Sequence, residues 1–284
     1  MTVDMTTHDP AMPVDGLIRV DRDGALATIR LDRPRKRNAM TYGMWRGLLD
    51  ACTDLAADAA VRVVIVRGAG GNFCAGADIS ELHSLRPPDE PSFMEMNIAA
   101  EAALAALPKP TIALIEGDCI GGGCAIAIDC DLRIAALGAR FGITPARLGV
   151  VYPPASLERV VDLLGPASTK QLLFTADLID AGFAASIGLV NEVHPDIAAA
   201  HDRAQQVATD MVQRSALTQA ATKAMVTSIH RTGGVPADLA AAWAQEVTES
   251  GESVEGAAAF TEKRTPQFPW RPRSLPAMQA QLPD

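Results

Sequence analysis

Residues 61–79 read Val-Arg-Val-Val-Ile-Val-Arg-Gly-Ala-Gly-Gly-Asn-Phe-Cys-Ala-Gly-Ala-Asp-Ile. The run 61–66 is short and β-branched, and it is bounded by Asp58 and Gly68, so it reads as a buried strand. A glycine-rich loop follows, and then a helix near 79–85. The same order returns downstream. Thr111-Ile112-Ala113-Leu114-Ile115 is an apolar strand, 117–123 a loop, 124–130 an apolar helix and 132–135 a further strand. Upstream, 17–31 alternates around Gly24 as a hairpin, and 41–57 has apolar residues at helical spacing. A loop over 87–91 leads into another helical pattern over 93–107. Short apolar strands alternating with helices and tight loops predict an α/β fold.

Composition changes near residue 200. Beyond it the chain is alanine-rich and helical over 198–215, 217–232 and 237–250, with Gly233-Gly234 and Pro236 as breaks. The expected organisation is an N-terminal extension at 1–15, an α/β body at 16–200, a helical region at 201–268 and an irregular proline-rich tail at 269–284. A chain of 284 residues, 48% hydrophobic, is long enough to bury a sizeable core. Its net charge of -9 provides no global basic field for nucleic acid. No apolar run is long enough to span a bilayer. The first residues carry Asp4, Asp9 and Asp15 and lack the basic start and apolar centre of a targeting signal. Cys52, Cys74, Cys119, Cys124 and Cys130 are odd in number and form no C-x-x-C. They fit neither a disulfide framework nor a metal site, so no metal is expected. They read as buried, reduced small hydrophobes, which points to a cytoplasmic location.

Two loops carry the chemistry. One is Asn72-Phe73-Cys74-Ala75-Gly76-Ala77-Asp78-Ile79, the other Glu116-Gly117-Asp118-Cys119-Ile120-Gly121-Gly122-Gly123-Cys124. Each follows a buried strand and precedes a helix. Glycine lets main chain approach a ligand closely, and a helix N-terminus presents free N–H groups and a positive dipole end. Two such loops are able to aim two N–H donors at one oxygen, as an oxyanion hole. Ordinary tight turns have the same composition, so composition alone does not choose between them.

The longer strings choose. Asp32-Arg33-Pro34 with Asn38-Ala39-Met40, the Phe73–Ile79 string itself, and Lys109-Pro110-Thr111-Ile112-Ala113 with Gly117 and Gly121-Gly122-Gly123 resemble the motifs of the crotonase (enoyl-CoA hydratase/isomerase) superfamily. Cys130-Asp131-Leu132-Arg133-Ile134-Ala135 and the close Glu255-Gly256-Ala257 to Phe260-Thr261-Glu262-Lys263-Arg264-Thr265-Pro266 continue the match, in order, over about 17–268. The resemblance implies a spiral of ββα repeats with a C-terminal helical trimerisation region, assembled as a homotrimer or a dimer of trimers. It implies an acyl-CoA thioester as substrate in fatty acid or related metabolism, with no other cofactor. The N–H groups of Ala77 and Gly122 take the place of the family's oxyanion hole. Ala75, Asp78, Ile79, Gly121, Pro145 and Leu148 fall on the acyl-CoA path. Arg35, Lys36 and Arg37 fall where the family meets the nucleotide end of CoA. Phe260 and Lys263 fall at its adenine and phosphate.

The chain departs from that pattern at two decisive positions. Family hydratases pair two glutamates, one to activate water and one to handle the α-carbon proton. Ala125 and Pro145 stand in those places, and neither transfers a proton. Glu116, Asp118, Asp129, Asp78 and His83 are nearby in sequence, with no spacing that singles one out. Thr144-Pro145-Ala146-Arg147-Leu148-Gly149-Val150-Val151-Tyr152 partly resembles a string of bacterial methylmalonyl-CoA decarboxylases, where the threonine and tyrosine flank the departing carboxylate. Three readings therefore stand: a hydratase- or isomerase-like lyase with an unconventional acid/base group, a malonyl-type decarboxylase using Thr144 and Tyr152, and a catalytically silent acyl-CoA-binding protein.

Overall fold

The computed structural model describes residues 17–82, 87 and 89–271. The N-terminal extension, His83 and the tail beyond Arg271 lie outside the described residues. In chain order, strands β1 (Leu17–Asp23), β2 (Leu26–Asp32) and β3 (Val63–Gly68) enclose helix α1 (Tyr42–Ala57). Helix α2 (Phe93–Ala105), β4 (Thr111–Ile115), β5 (Asp118–Ile120), α3 (Gly122–Asp129), β6 (Leu132–Ala136) and β7 (Arg140–Gly142) follow. Then come α4 (Pro154–Thr175), β8 (Ile179–Asp180), α5 (Ala181–Ser186), β9 (Glu192–His194), α6 (Ile197–Val212), α7 (Ala216–Thr232), α8 (Ala237–Ser250) and α9 (Glu252–Glu262).

The larger sheet has the order β1-β2-β3-β4-β6-β9, antiparallel only between β1 and β2. A small sheet, β5-β7-β8, lies beside it. The chain thus lays β4 in the large sheet, β5 in the small one and then α3, and repeats this with β6, β7 and α4. This is the α/β spiral of ββα units that the family resemblance implies.

The strands β3 and β4 are apolar throughout because both their faces are covered. Val64, Val66, Ala113 and Ile115 join the core beneath α1 and α2. Val63, Ile65, Ile112 and Leu114 face α6, whose Ala200, Ala204 and Ala208 recur every four residues and bring that helix close. The first helix of the alanine-rich stretch therefore lies on the sheet, whereas α7 and α8 bury Leu217, Ala221 and Trp243 in a separate cluster.

Three local expectations change. The helix expected near 79–85 is, among the described residues, one 3-10 turn at Ile79–Glu81. The loop expected at 117–123 contains β5, because Asp118–Ile120 pairs in parallel with β7, and an isolated bridge from Cys74 to Cys119 joins it to the first loop. Trp270, in the stretch expected to be irregular tail, is buried against Trp243 with ring centroids 6.4 Å apart.

Candidate active site

The two glycine loops are bonded to one another by main chain. Phe73 N–H donates to Glu116 O (2.7 Å), Cys74 N–H to Asp118 O (2.8 Å) and Ile120 N–H to Cys74 O (2.9 Å). Buried Asn38 braces the first loop, its Nδ2 donating to Ala69 O (2.9 Å) and Asn72 O (2.8 Å). The start of α3 approaches that loop so closely that a Cβ on Gly123 would stand 2.3 Å from Cys74 O, and no side chain fits. Gly76, with φ +99°, takes a turn that L side chains rarely adopt.

This contact makes two amides neighbours. A Cβ placed on Gly122 would lie 3.5 Å from Ala77 N. Gly122 is the first residue of α3, where the helix itself offers no acceptor. Among the described residues, neither Ala77 N–H nor Gly122 N–H donates a hydrogen bond.

Both residues line a cavity of about 290 Å³. Ala75 and Ile79 join them from the first loop, and Gly121 from the second. Thr144, Pro145, Leu148 and Tyr152 line it from the segment after β7. The cavity wall is mainly apolar, as small-molecule sites usually are. Asn97 and Glu101 of α2 and Ser156 of α4 add polar groups on one side, and Thr144, Arg147 and Tyr152 add them from the segment after β7. Glu101 is the one carboxylic acid in the wall among the described residues. Asn97 Nδ2 donates to Glu101 Oε1 (2.7 Å) and Ser156 Oγ to Glu101 Oε2 (2.5 Å). Burial raises the Glu101 carboxyl above its usual range despite these donors. Tyr152 Oη is buried without a hydrogen-bond partner, and burial, with the Glu101 charge next in weight, pushes its phenol up.

Other expected residues lie outside this wall. Asp78 is held by Arg33 Nη1 (2.6 Å) and caps the 3-10 turn through Ser80 N (3.0 Å). Arg35 and Lys36 are exposed on the 3-10 turn Pro34–Lys36. Arg37 follows them with its Nη1 on Asp118 Oδ2 (2.7 Å), while its carbonyl accepts from Ala75 N–H (2.9 Å), which ties the basic run to the first loop. Phe260 is 88% exposed near the end of α9, and Lys263 caps that helix. Ala125, where the resemblance leads one to expect a glutamate, is buried in α3. Of the carboxylates near in sequence, Glu116 bonds His201, Asp118 binds Arg37 and Arg140, and Asp129 is buried beside Arg159. Among the described residues no group of three or more His, Cys, Asp or Glu is placed to hold a metal.

Sequence reasoning missed Glu101, Asn97 and Ser156. A signal was present: Met94, Asn97 and Glu101 are spaced three and four apart, so one face of an apolar helix carries a polar pair.

The chain matches the model of the family described as "Enoyl-CoA hydratase/isomerase" over residues 21–271. The crotonyl-CoA hydratase of Syntrophomonas wolfei is 34% identical over 259 residues, covering 88% of this chain and 97% of the relative. A crystal structure of an enoyl-CoA hydratase/isomerase family member superposes with TM-score 0.84 at 36% identity, covering 90% of this chain and 99% of that one. The crystal structure of the Bacillus anthracis enoyl-CoA hydratase gives TM-score 0.80 at 30% identity, covering 88% and 98%.

Proposed function

The chain belongs to the enoyl-CoA hydratase/isomerase family, and on that premise we propose that it binds an acyl-CoA thioester and stabilises the enolate formed from it. The observation that carries this is the pair of unengaged, adjacent amides of Ala77 and Gly122 on one apolar cavity. A thioester oxygen bound between them gains negative charge as its α-carbon loses a proton, and two fixed N–H dipoles in a site poor in water favour that charge. Each such donor is worth about 2.7–4 kcal/mol in other enzymes. Arg35, Lys36 and Arg37 at the back of the first loop, with Phe260 and Lys263 from α9, serve the nucleotide end of CoA. The role is cytoplasmic, in fatty acid or related acyl-CoA metabolism, with the CoA thioester as substrate and no resident cofactor.

Incubation with butyryl-CoA in heavy water tests this. Deuterium should enter the α-carbon, read by mass spectrometry. Binding of butyryl-CoA without exchange would leave a silent binder and sink the enolate reading.

One observation favours a second reading. Tyr152 Oη, buried and unpaired, shares the cavity with Thr144. Such a pair suits the carboxylate of a malonyl-type thioester, whose loss of CO2 forms the enolate without a base. Release of CO2 that survives Tyr152→Phe unchanged would remove this reading.

A further inference from the structure

We propose that the wall segment 144–152 makes this cavity selective for thioesters whose acyl group ends in a second carboxylate, and that Arg147 is the residue that receives it. The inference rests on the thioester-binding reading above and adds the acyl class. The carboxylate is here a handle that stays on the substrate, not a leaving group.

The two sides of the cavity differ in how their polar groups are satisfied. On the α2 and α4 side they satisfy one another, since Asn97 Nδ2 and Ser156 Oγ both donate to Glu101. On the 144–152 side none is satisfied. Among the described residues, the Thr144 hydroxyl and the Arg147 guanidinium make no hydrogen bond to protein, and Tyr152 Oη is buried without a partner. A guanidinium offers donors only, and both hydroxyls are free to donate. Three donors line one wall with no acceptor among them. A carboxylate, with two oxygens and about four lone-pair sites, is the acceptor that answers all three.

Arg147 has a charge that the protein hardly uses. It ends the 3-10 turn Pro145–Arg147, which Thr144 opens, and its N–H donates to Thr144 O (3.2 Å). The proline ring fixes the backbone between them, so the two side chains ride on one rigid turn. The carboxylate paired with Arg147 is Asp177, at 3.8 Å, with both side chains more than half exposed. That distance is too long for a hydrogen bond, and an exposed pair of this kind contributes little. A ligand carboxylate displaces Asp177 toward water and takes two parallel N–H···O bonds from the guanidinium, a shorter and stronger arrangement.

The position of Arg147 sets where on the acyl group the carboxylate sits. The thioester oxygen lies between the Ala77 and Gly122 amides, where the two loops meet. Arg147 stands at the rim, beside Leu148 (51% exposed) and Val151 (88% exposed). Ile79, Leu82 and Met94 supply apolar wall for the methylenes of the chain. The carboxylate therefore belongs at the far end of the acyl group, several bonds from the thioester carbonyl. At that distance its loss as CO2 does not feed electrons into the thioester, so the amides give decarboxylation no help. A wholly apolar acyl group leaves the three donors facing it unpaired, which costs affinity.

Calorimetry with glutaryl-CoA and pentanoyl-CoA tests this, because the two share a chain length and differ in the terminal group. Wild type should bind glutaryl-CoA about tenfold or more tightly, and the ratio should fall as salt rises from about 0.05 to about 0.5 M. The net charge of -9 opposes the added negative charge, so a general attraction does not give this preference. Arg147→Met should bring the ratio to about one with pentanoyl-CoA affinity unchanged, and Arg147→Lys should keep part of the preference. Asp177→Asn, which removes the competing carboxylate, should tighten glutaryl-CoA alone by about threefold. A wild-type ratio within about threefold overturns the proposal. So does an Arg147→Met that weakens both thioesters alike, which puts the guanidinium on a CoA phosphate, or an Asp177→Asn that leaves glutaryl-CoA unchanged. Wild type that binds neither thioester strikes the thioester reading itself.

Discussion

Asp78 follows the amide-bearing Ala77 directly, yet its carboxylate serves the loop. The Ser80 hydroxyl and the Arg33 guanidinium together hold it down to about 2, from an ordinary 3.8. A depressed carboxylate contributes stability above its unfolded pKa and loses it as pH falls toward its folded one. Asp78 should therefore stabilise the protein fully above about pH 5, by on the order of 1 kcal/mol, and progressively less below about pH 4. Urea midpoints of wild type and Asp78→Asn should converge as pH drops through this window; a constant gap would refute the assignment. Gly123 works at the same scale. Its missing Cβ is what lets α3 begin against Cys74 O, and so brings the Gly122 amide beside that of Ala77.

At the scale of the element, the matched sequence strings turn out to be mostly joints. Lys109, from Lys109-Pro110, is buried with its ammonium donating to Leu55 O and, at 2.6 Å, to Asp58 O at the C-terminal end of α1. Desolvation lowers its pKa to about 8. Lys109→Ala leaves those carbonyls unpaired and should cost about 2–3 kcal/mol, read as a drop in thermal midpoint; a loss below about 0.5 kcal/mol would show that water replaces the ammonium. Asp131 ties Thr111 N (2.8 Å) to Lys223 Nζ (2.8 Å), and Arg133 Nε bonds Leu189 O (2.8 Å). Such joints were legible because each pairs residues of fixed type within short strings. The hairpin, β3, β4, α1 and the amide-bearing loops were legible for the same reason: their periods and glycines are local. Glu101 was not. Its importance comes from Ser156, 55 residues later, and from Asp129 and Arg159, which only the fold assembles. His201 likewise had no partner in sequence and finds Glu116 from across the sheet.

Across the whole molecule, one chain leaves apolar side chains bare on the helical region. Val226 and Ile229 of α7 and Val254 and Phe260 of α9 are all more than half exposed. Patches of this kind mark interfaces. The homotrimer, or dimer of trimers, that the family resemblance implies would cover them. Light scattering should give about three times, or six times, the 29.9 kDa of one chain. Phe260→Asp should shift the population to smaller species and weaken acyl-CoA binding together. A stable single-chain mass for the wild type would refute this assembly. No described helix is long and apolar enough to cross a membrane.

The amides of Ala77 and Gly122 belong to the main chain, which every residue type but proline supplies. A point substitution in the cavity wall thus alters what happens to a bound thioester without removing the grip on it. On the proposed reading, the hold on substrate rests on main chain and the choice of reaction on side chains, so the two can change independently.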